Sequence, residues 1–399
     1  MRALLLLATL ALPACATLGP AEPPPVAEAG IAFTSAGEVG TFASGLADPK
    51  AGRAITPDDP ARVASVSKLV VAIGVMQLVE AGKLDLDADV SNYLGWRLRN
   101  PAFPDHPISL RLLLSHTSSV RDHDDQYAIP LGETVQAAMA VPTSWDPAHG
   151  PGDRYFAYSN MNFPIIASVI ELVTQERFDG VMRRDVLDPM GIDACFNWPT
   201  CSDAAIGRAV VLMRDGEIIR DDLGGKRPDC PVFVRDGVAC DIPGTWRPGV
   251  NGALFSPQGG LRISVRGLSR VGRTLLNHGT LDGKRILSPA SVDTLLTQIW
   301  RFDGNNGATD NFYCSYGLAT QRLAAGRKGC ADDPGTRGLV LIGHAGEAYS
   351  LRSGLWIDPA SGRGIAYFLT GQPDSTSGNA VMTRAETAAF RRALALLPR

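Results

Sequence analysis

The chain of 399 residues has room for about two domains, and a composition 45% hydrophobic and 20% charged is that of a globular protein. A net charge of -3 gives no electrostatic reason to expect a nucleic-acid partner or an anionic membrane surface. No CxxC or His-rich spacing suggests zinc, so neither a metal nor a cofactor is expected.

The amino terminus, MRALLLLATLALPAC, carries one positive charge, an apolar run from Ala3 to Leu12 and a small-residue step into Cys15. The run is well short of the roughly 20 apolar residues that cross a bilayer, so it reads as a secretory signal. Leu12-Pro13-Ala14-Cys15 resembles a bacterial lipobox, with Pro13 a departure from the usual small or β-branched residue. The resemblance implies export to the periplasm with a lipid anchor on Cys15; conventional cleavage beside a spare cysteine is the alternative. Residues 1–15 are then the signal, the Pro- and Ala-rich stretch 16–30 a flexible tether, and 31–395 the folded domain.

Setting Cys15 aside leaves Cys195, Cys201, Cys230, Cys240, Cys314 and Cys330, an even set that reads as disulfides in an oxidising compartment. Short separation points to Cys195–Cys201, Cys230–Cys240 and Cys314–Cys330, although six cysteines permit other pairings.

Along the folded part, IAFTSAGEVGTFASGLAD reads as a hairpin around a Gly-containing turn. Leu69 to Val79 is apolar almost all round, which predicts a buried helix opening near Ser65 and capped by Gly82. From about 85 to 200 the pattern is helical with polar loops. Residues 195–250 hold four cysteines, several Pro and Gly and little periodicity, and read as an irregular stapled segment, a candidate lid. Three strand-like runs follow, GLVLIGHAG, SLRSGLWIDP and GIAYFLTG, the last two joined at Ala360-Ser361-Gly362, before a closing amphipathic helix. Strands at both ends with helices between predict an α/β (α+β) fold. One antiparallel sheet comes from about 31–70 and 205–399, is flanked by helices, and carries an inserted, mainly helical part at about 71–204.

There is no GxSxG, HExxH, GxGxxG or GxxxxGK[ST] motif. What remains is Ser65-Val66-Ser67-Lys68. A cation one turn inside a helix start stands where an acid would complement the dipole, and local rules tend to be broken at functional sites. Spacing of three puts Ser65 and Lys68 on one helix face. A serine hydroxyl needs a base to become a nucleophile, and a neutral lysine amine can serve. Burial disfavours the ammonium and the helix dipole pushes the same way, so a poor capping residue makes a better base. The helix start also offers the Ser65 N–H to a developing oxyanion.

Each element also has a structural reading. Ser65 and Lys68 can be an N-cap followed by a solvated lysine, Tyr158-Ser159-Asn160 a turn before a helix, and His344 a strand-end histidine. His116 in SHTSS reads as structural. Asp122-His123-Asp124-Asp125 reads as a solvated loop whose spacing matches no metal-ligand pattern.

In the order SxxK (Ser65, Lys68), YxN (Tyr158, Asn160) and HxG (His344, Gly346), the three elements resemble the active-site motifs of the serine β-lactamase and penicillin-binding protein superfamily. The nearest branch is that of class C β-lactamases, D-alanyl-D-alanine carboxypeptidases and β-lactamase-fold esterases. ISLRLLLSHTSSV, FDGVMRRDVLDPMGI and SPQGGLRISVRGLSRVGRTLLNHG look like its connecting segments, so the likeness covers most of 31–395. The resemblance implies that Ser65 is the acylated nucleophile and Lys68 its proton partner. Tyr158 would be a phenolate or proton shuttle, its ionisation favoured by the neighbouring cation, and Asn160 a partner of Lys68 or of substrate. Gly346 would let a substrate approach the strand edge, and the Glu347 N–H would be the second oxyanion donor. His344 replaces the lysine of the KTG form, so any charge there would depend on pH near about 6.5.

Two departures bear on substrate. Ala345 lacks the hydroxyl with which Thr can bind a penicillin or D-Ala-D-Ala carboxylate, and Ser119 stands where the family often has Gly. The expected protein is therefore an exported serine hydrolase acting on a small ester or amide. Esterase activity ranks before D-amino-acid peptidase or carboxypeptidase, and β-lactamase comes last. Its partners would be a small-molecule or cell-wall peptide substrate and the membrane through Cys15. The rival is a non-catalytic or slowly acylating protein that binds cell-wall fragments or β-lactams.

Overall fold

The computed structural model describes residues 22–124, 126–308, 312–326, 328–373 and 382–398; the signal and Cys15 lie outside the described residues. A nine-stranded sheet organises the chain. Its strands are β1 (Ala27–Thr34), β2 (Glu38–Asp48), β3 (Arg53–Ala54), β4 (Trp300–Arg301), β5 (Ser315–Tyr316), β6 (Gln321–Arg322), β7 (Ile342–Ala348), β8 (Leu351–Asp358) and β9 (Arg363–Thr370), in the order β4-β5-β6-β7-β8-β9-β1-β2-β3. Every neighbouring pair is antiparallel, and the two ends of the chain meet where β1 lies against β9, Ala29 opposite Phe368. Because β1 starts at Ala27, the sheet takes up residues that read as tether in the sequence.

Both faces of the central strands are covered, which is why β8 and β9 read as nearly continuous apolar runs. Alternate side chains go to opposite layers. Phe33, Leu355, Ala366 and Phe368 join the larger core, with Leu268, Val271 and Leu275 of helix Val265–Leu276. Ala32, Trp356, Ile365, Tyr367 and Leu369 meet Ala389, Phe390, Ala393 and Leu394 of the closing helix Arg384–Ala395.

Helix α1 (Ser67–Glu80) is buried along most of its length, as an all-apolar helix must be, and stands in the larger core among residues of the sheet side and of the helical part. It ends at Ala81, and Gly82 at φ +68° supplies the left-handed residue that turns the chain out. In the helical part, α2 (Leu110–Leu114) and α3 (Asn162–Thr174) carry the loop and the helix start that reach the site. The segment 195–250 includes a hairpin, Leu212–Arg214 with Glu217–Arg220. Disulfides join Cys195–Cys201, Cys230–Cys240 and Cys314–Cys330, the pairing that short separation suggested. Among the described residues no helix is long and apolar enough to cross a membrane.

Candidate active site

Ser65 is delivered by a strained turn rather than by a helix proper. Ala61–Arg62 pairs with Leu261–Ile263, the Val63 N–H donates to the Leu261 carbonyl at 3.0 Å, and Ala64 then adopts φ +46°. A residue with a Cβ holds that left-handed backbone only when its surroundings impose it. Ser67 imposes it here, donating from Oγ to the Ala64 carbonyl at 2.6 Å and accepting from the Leu261 N–H at 3.0 Å. A 3-10 turn over Ala64–Val66 runs into α1, so the α-helix begins two residues later than the sequence suggests while the three-residue spacing of Ser65 and Lys68 is kept.

Lys68 is fully buried. Its Nζ lies 3.0 Å from Ser65 Oγ, 2.8 Å from Asn160 Oδ1 and 2.8 Å from the Gln258 carbonyl. Burial brings its pKa down from 10.5 to about 7, against the pull of the Asp122 charge. A neutral amine has two N–H groups and one lone pair. Asn160 Oδ1 and the Gln258 carbonyl can only accept, so they take the two hydrogens and leave the lone pair directed at the Ser65 hydroxyl.

Asp122 is not part of a merely solvated loop. Its Oδ1 accepts from Ser159 Oγ at 2.8 Å and the Met161 N–H at 3.0 Å, and its Oδ2 from the Asn160 N–H at 2.7 Å and Asn160 Nδ2 at 3.0 Å. One half-buried carboxylate thus ties down the whole Tyr158–Met161 turn ahead of α3 and turns the Asn160 amide oxygen toward Lys68. Sequence reasoning missed this role and that of the Gln258 backbone. The only available signal was an acid about 40 residues before the YxN, and no local rule links the two. Asp125 lies outside the described residues.

Tyr158 sits between rings, stacked on His116 at 4.4 Å and on Tyr313 at 4.9 Å, with Lys68 Nζ 4.9 Å from its centroid. Its hydroxyl is buried with no well-formed hydrogen bond. Burial and the neighbouring Tyr313 and Tyr316 hold the phenol well above its usual pKa, and a loose interaction with Ser65 offsets this only in part. The expectation of a cation-favoured phenolate is therefore corrected. At neutral pH Tyr158 is a protonated phenol, because burial among the rings disfavours the phenolate.

His116 is structural, as expected: Nδ1 accepts from the Ser159 N–H at 3.1 Å and the ring braces Tyr158. His344 carries no switchable charge. Nδ1 donates to the Ala345 carbonyl at 2.5 Å, Nε2 accepts from the Tyr316 hydroxyl at 2.7 Å, and burial, then Lys68, lowers its pKa to about 3. A histidine locked in one tautomer and away from water stays neutral.

Gly346 on β7 lies in the cavity wall and against the turn that carries Ser65. A Cβ there would lie 2.3 Å from Ser353 Oγ and 2.4 Å from the Val63 carbonyl, with the Ser65 N–H at 3.2 Å. The missing side chain lets the turn that carries Ser65 press onto the strand. Ala345 to Ala348 line one side of a cavity of about 1400 Å³ that also holds Ser65, Tyr158, Asn160 and Gln258. Glu347 is among these residues, its carboxylate paired with Arg352.

Residues 26–389 match the Beta-lactamase family. The chain belongs to that family. Its curated relatives include penicillin-binding protein 4 of Amycolatopsis lactamdurans, 26% identical over 66% of this chain and 63% of that protein. Esterase EstB of Burkholderia gladioli is 28% identical over 50% of each. The match thus spans about half to two thirds of these relatives' length. A class C β-lactamase from Rhodobacter sphaeroides shares the fold, with a TM-score of 0.67 at 15% identity over 93% of this chain and 94% of that one.

Members of the Beta-lactamase family are serine hydrolases, and within it this chain departs at two places whose physical basis is now visible. Ser119 stands at φ +64°, a backbone that favours glycine, and is held there by Asn100 Nδ2 on its Oγ at 3.1 Å. Ala345 leaves the cavity wall beside His344 without a hydroxyl, while His344 is neutral. This end of the β-lactamase-family cleft therefore offers little to a substrate carboxylate.

Proposed function

We propose that the chain is an exported serine hydrolase that forms an acyl-enzyme on Ser65 and cleaves small esters in preference to D-amino-acid amides, peptides or β-lactams. The single observation that carries this reading is the position of Lys68: fully buried, brought to a pKa of about 7, its two hydrogens taken and its lone pair on the Ser65 hydroxyl.

The amine accepts the Ser65 proton as Oγ attacks the carbonyl, and the resulting ammonium keeps Asn160 Oδ1 and the Gln258 carbonyl as acceptors. The N–H groups of Ser65 and Glu347 serve the oxyanion. Tyr158, protonated at rest, passes its proton to the leaving group as the Lys68 ammonium replaces it. In deacylation Tyr158 takes a proton from water as it hands its own to Lys68, and Lys68 returns that proton to Ser65 Oγ as it departs, so that no standing phenolate is needed. Esterase EstB among the relatives and the missing hydroxyl at Ala345 favour an ester. The lipobox-like Cys15 and the disulfides support export with a lipid anchor.

A fluorophosphonate probe read by intact mass tests the reading. One adduct on the wild type that disappears in Ser65→Ala is expected, and no adduct at all would leave a binding protein of cell-wall fragments or β-lactams instead. A chromogenic short-chain ester, a D-Ala-D-Ala peptide and a chromogenic cephalosporin run in parallel rank the substrate classes.

A further inference from the structure

The cavity has a cationic end that the chemistry at Ser65 does not use. Arg62, three residues before the nucleophile, stands directly opposite Arg262 across the Ala61–Arg62 and Leu261–Ile263 pairing. Like charges facing each other across a strand pair are destabilising unless something offsets them. Arg262 has its offset, an ion pair with Asp221 at 2.9 Å. Arg62 has none. Only 7% exposed, it lines the cavity with its Nε unpartnered, and no ion pair or hydrogen bond of its guanidinium is found among the described residues. What touches it is the ring of Tyr349, 4.9 Å from its Cζ.

A second arginine faces the same ring. Arg220 stands 4.5 Å from the Tyr349 centroid and donates to its hydroxyl at 3.2 Å. Tyr349 and Ser350, at φ +53° and +56°, form the tight turn between β7 and β8 that presents this ring. The guanidiniums of Arg62 and Arg220 therefore face one ring, while the nearby Asp221 is committed to its ion pair with Arg262. Burial, then Arg262, bring the Arg62 pKa down to about 9, against the pull of Tyr349 and Asp221.

The position along β7 says which part of a substrate this end would meet. His344, Tyr316 and Tyr158 stand at the start of the strand, Gly346 lies against Ser65, and Tyr349 follows the strand's end. A leaving group must sit beside its proton donor, on the Tyr158 side. The acyl group then runs the other way. Three residue steps lead from Gly346 to Tyr349, on the order of 10 Å, so a short chain brings its far end to Arg62.

We propose that the Arg62, Arg220 and Tyr349 end of the cavity is an anion subsite for the acyl moiety, which selects substrates whose acyl group ends in a carboxylate a few carbons from the scissile carbonyl. The subsite rests on acyl-enzyme formation at Ser65. A guanidinium can take a carboxylate through two parallel N–H donors, and in a desolvated pocket such a pair discriminates strongly against a methyl group of the same size.

The test compares p-nitrophenyl hydrogen adipate with p-nitrophenyl hexanoate, which differ only in a terminal carboxylate. Wild type should favour the adipate at least tenfold in kcat/KM. Arg62→Gln should lower that ratio at least tenfold, Arg62→Lys should keep part of it, and the exposed Arg220→Gln should lower it severalfold. Because Arg62 is buried, Arg220→Gln carries the test if Arg62→Gln does not fold. No preference in the wild type, or a ratio unchanged in folded variants, overturns the subsite even where the hexanoate is turned over. Should neither ester react, the hydrolase reading fails separately, and melting temperature decides the subsite. Free adipate should then stabilise the protein and neutral adipamide should not, with the difference lost in Arg220→Gln; equal shifts from both overturn it.

Discussion

Asp122 grips Asn160 twice, accepting its backbone N–H at 2.7 Å and its Nδ2 at 3.0 Å, so that the amide oxygen is left to face Lys68 at 2.8 Å. The same carboxylate acts on Lys68 through space, raising the pKa that burial lowers. Position and charge are therefore separable by experiment. Asp122→Asn brings an amide group against the N–H groups that the carboxylate now accepts, and turnover should fall about 10- to 100-fold, as for a buried charged hydrogen bond lost. It also deletes the negative charge, so the acid limb of the kcat/KM profile should move to lower pH. A fall in rate without that movement would make the role purely structural.

Lys68 sets the limb itself. A base with a pKa of about 7 in the folded protein is protonated below that value, so kcat/KM should rise as pH climbs through about 7 and level off above it. Lys68→Arg is cationic at every accessible pH and should lose on the order of 10²- to 10⁴-fold across the whole range. His344, neutral down to about 3, should contribute no second limb near 6.5. A His344→Gln profile of unchanged shape checks this.

Gly346→Ala places a Cβ against Ser353 Oγ and the Val63 carbonyl, and should destabilise by about 1–3 kcal/mol while moving Ser65 off its line to Lys68. Adding Ser353→Gly removes only the side-chain clash. Since the backbone carbonyl remains, denaturant unfolding should show at most partial recovery; full recovery would mean that Val63 gives way freely.

The Cys230–Cys240 loop walls the cavity through Pro231 to Val234, anchored where the Leu131 N–H donates to the Phe233 carbonyl at 2.8 Å. Replacing both cysteines by serine frees a loop closed across ten residues. By chain entropy this should lower stability by about 3 kcal/mol. Steady-state kinetics should show KM rising more than kcat falls, because the loop shapes the cavity and does not touch Lys68. An unchanged KM would remove this loop from the substrate wall.

Much of the site was readable because its key spacing is local. Ser65 and Lys68 share a face through the repeat of a helical turn, and the small shift of the helix start to Ser67 leaves that unchanged. The hairpin, the closing strands and the antiparallel sheet followed from two-residue alternation and turn residues. The pairing of cysteines followed from short loops. Asp122 was read as solvent-facing because nothing near it in the chain shows that the Ser159–Met161 turn needs an acceptor.

From the order of residues came the candidates for chemistry and how Ser65 stands to Lys68, the latter because it depends on backbone geometry over a few positions. A less basic Lys68 was expected too, but the protonation of Tyr158 and His344 was not, because desolvation is the work of neighbours tens to hundreds of residues away. Folding set Lys68 near 7, kept Tyr158 a phenol and His344 neutral, and left Arg62 at the cavity wall with no ion pair among the described residues.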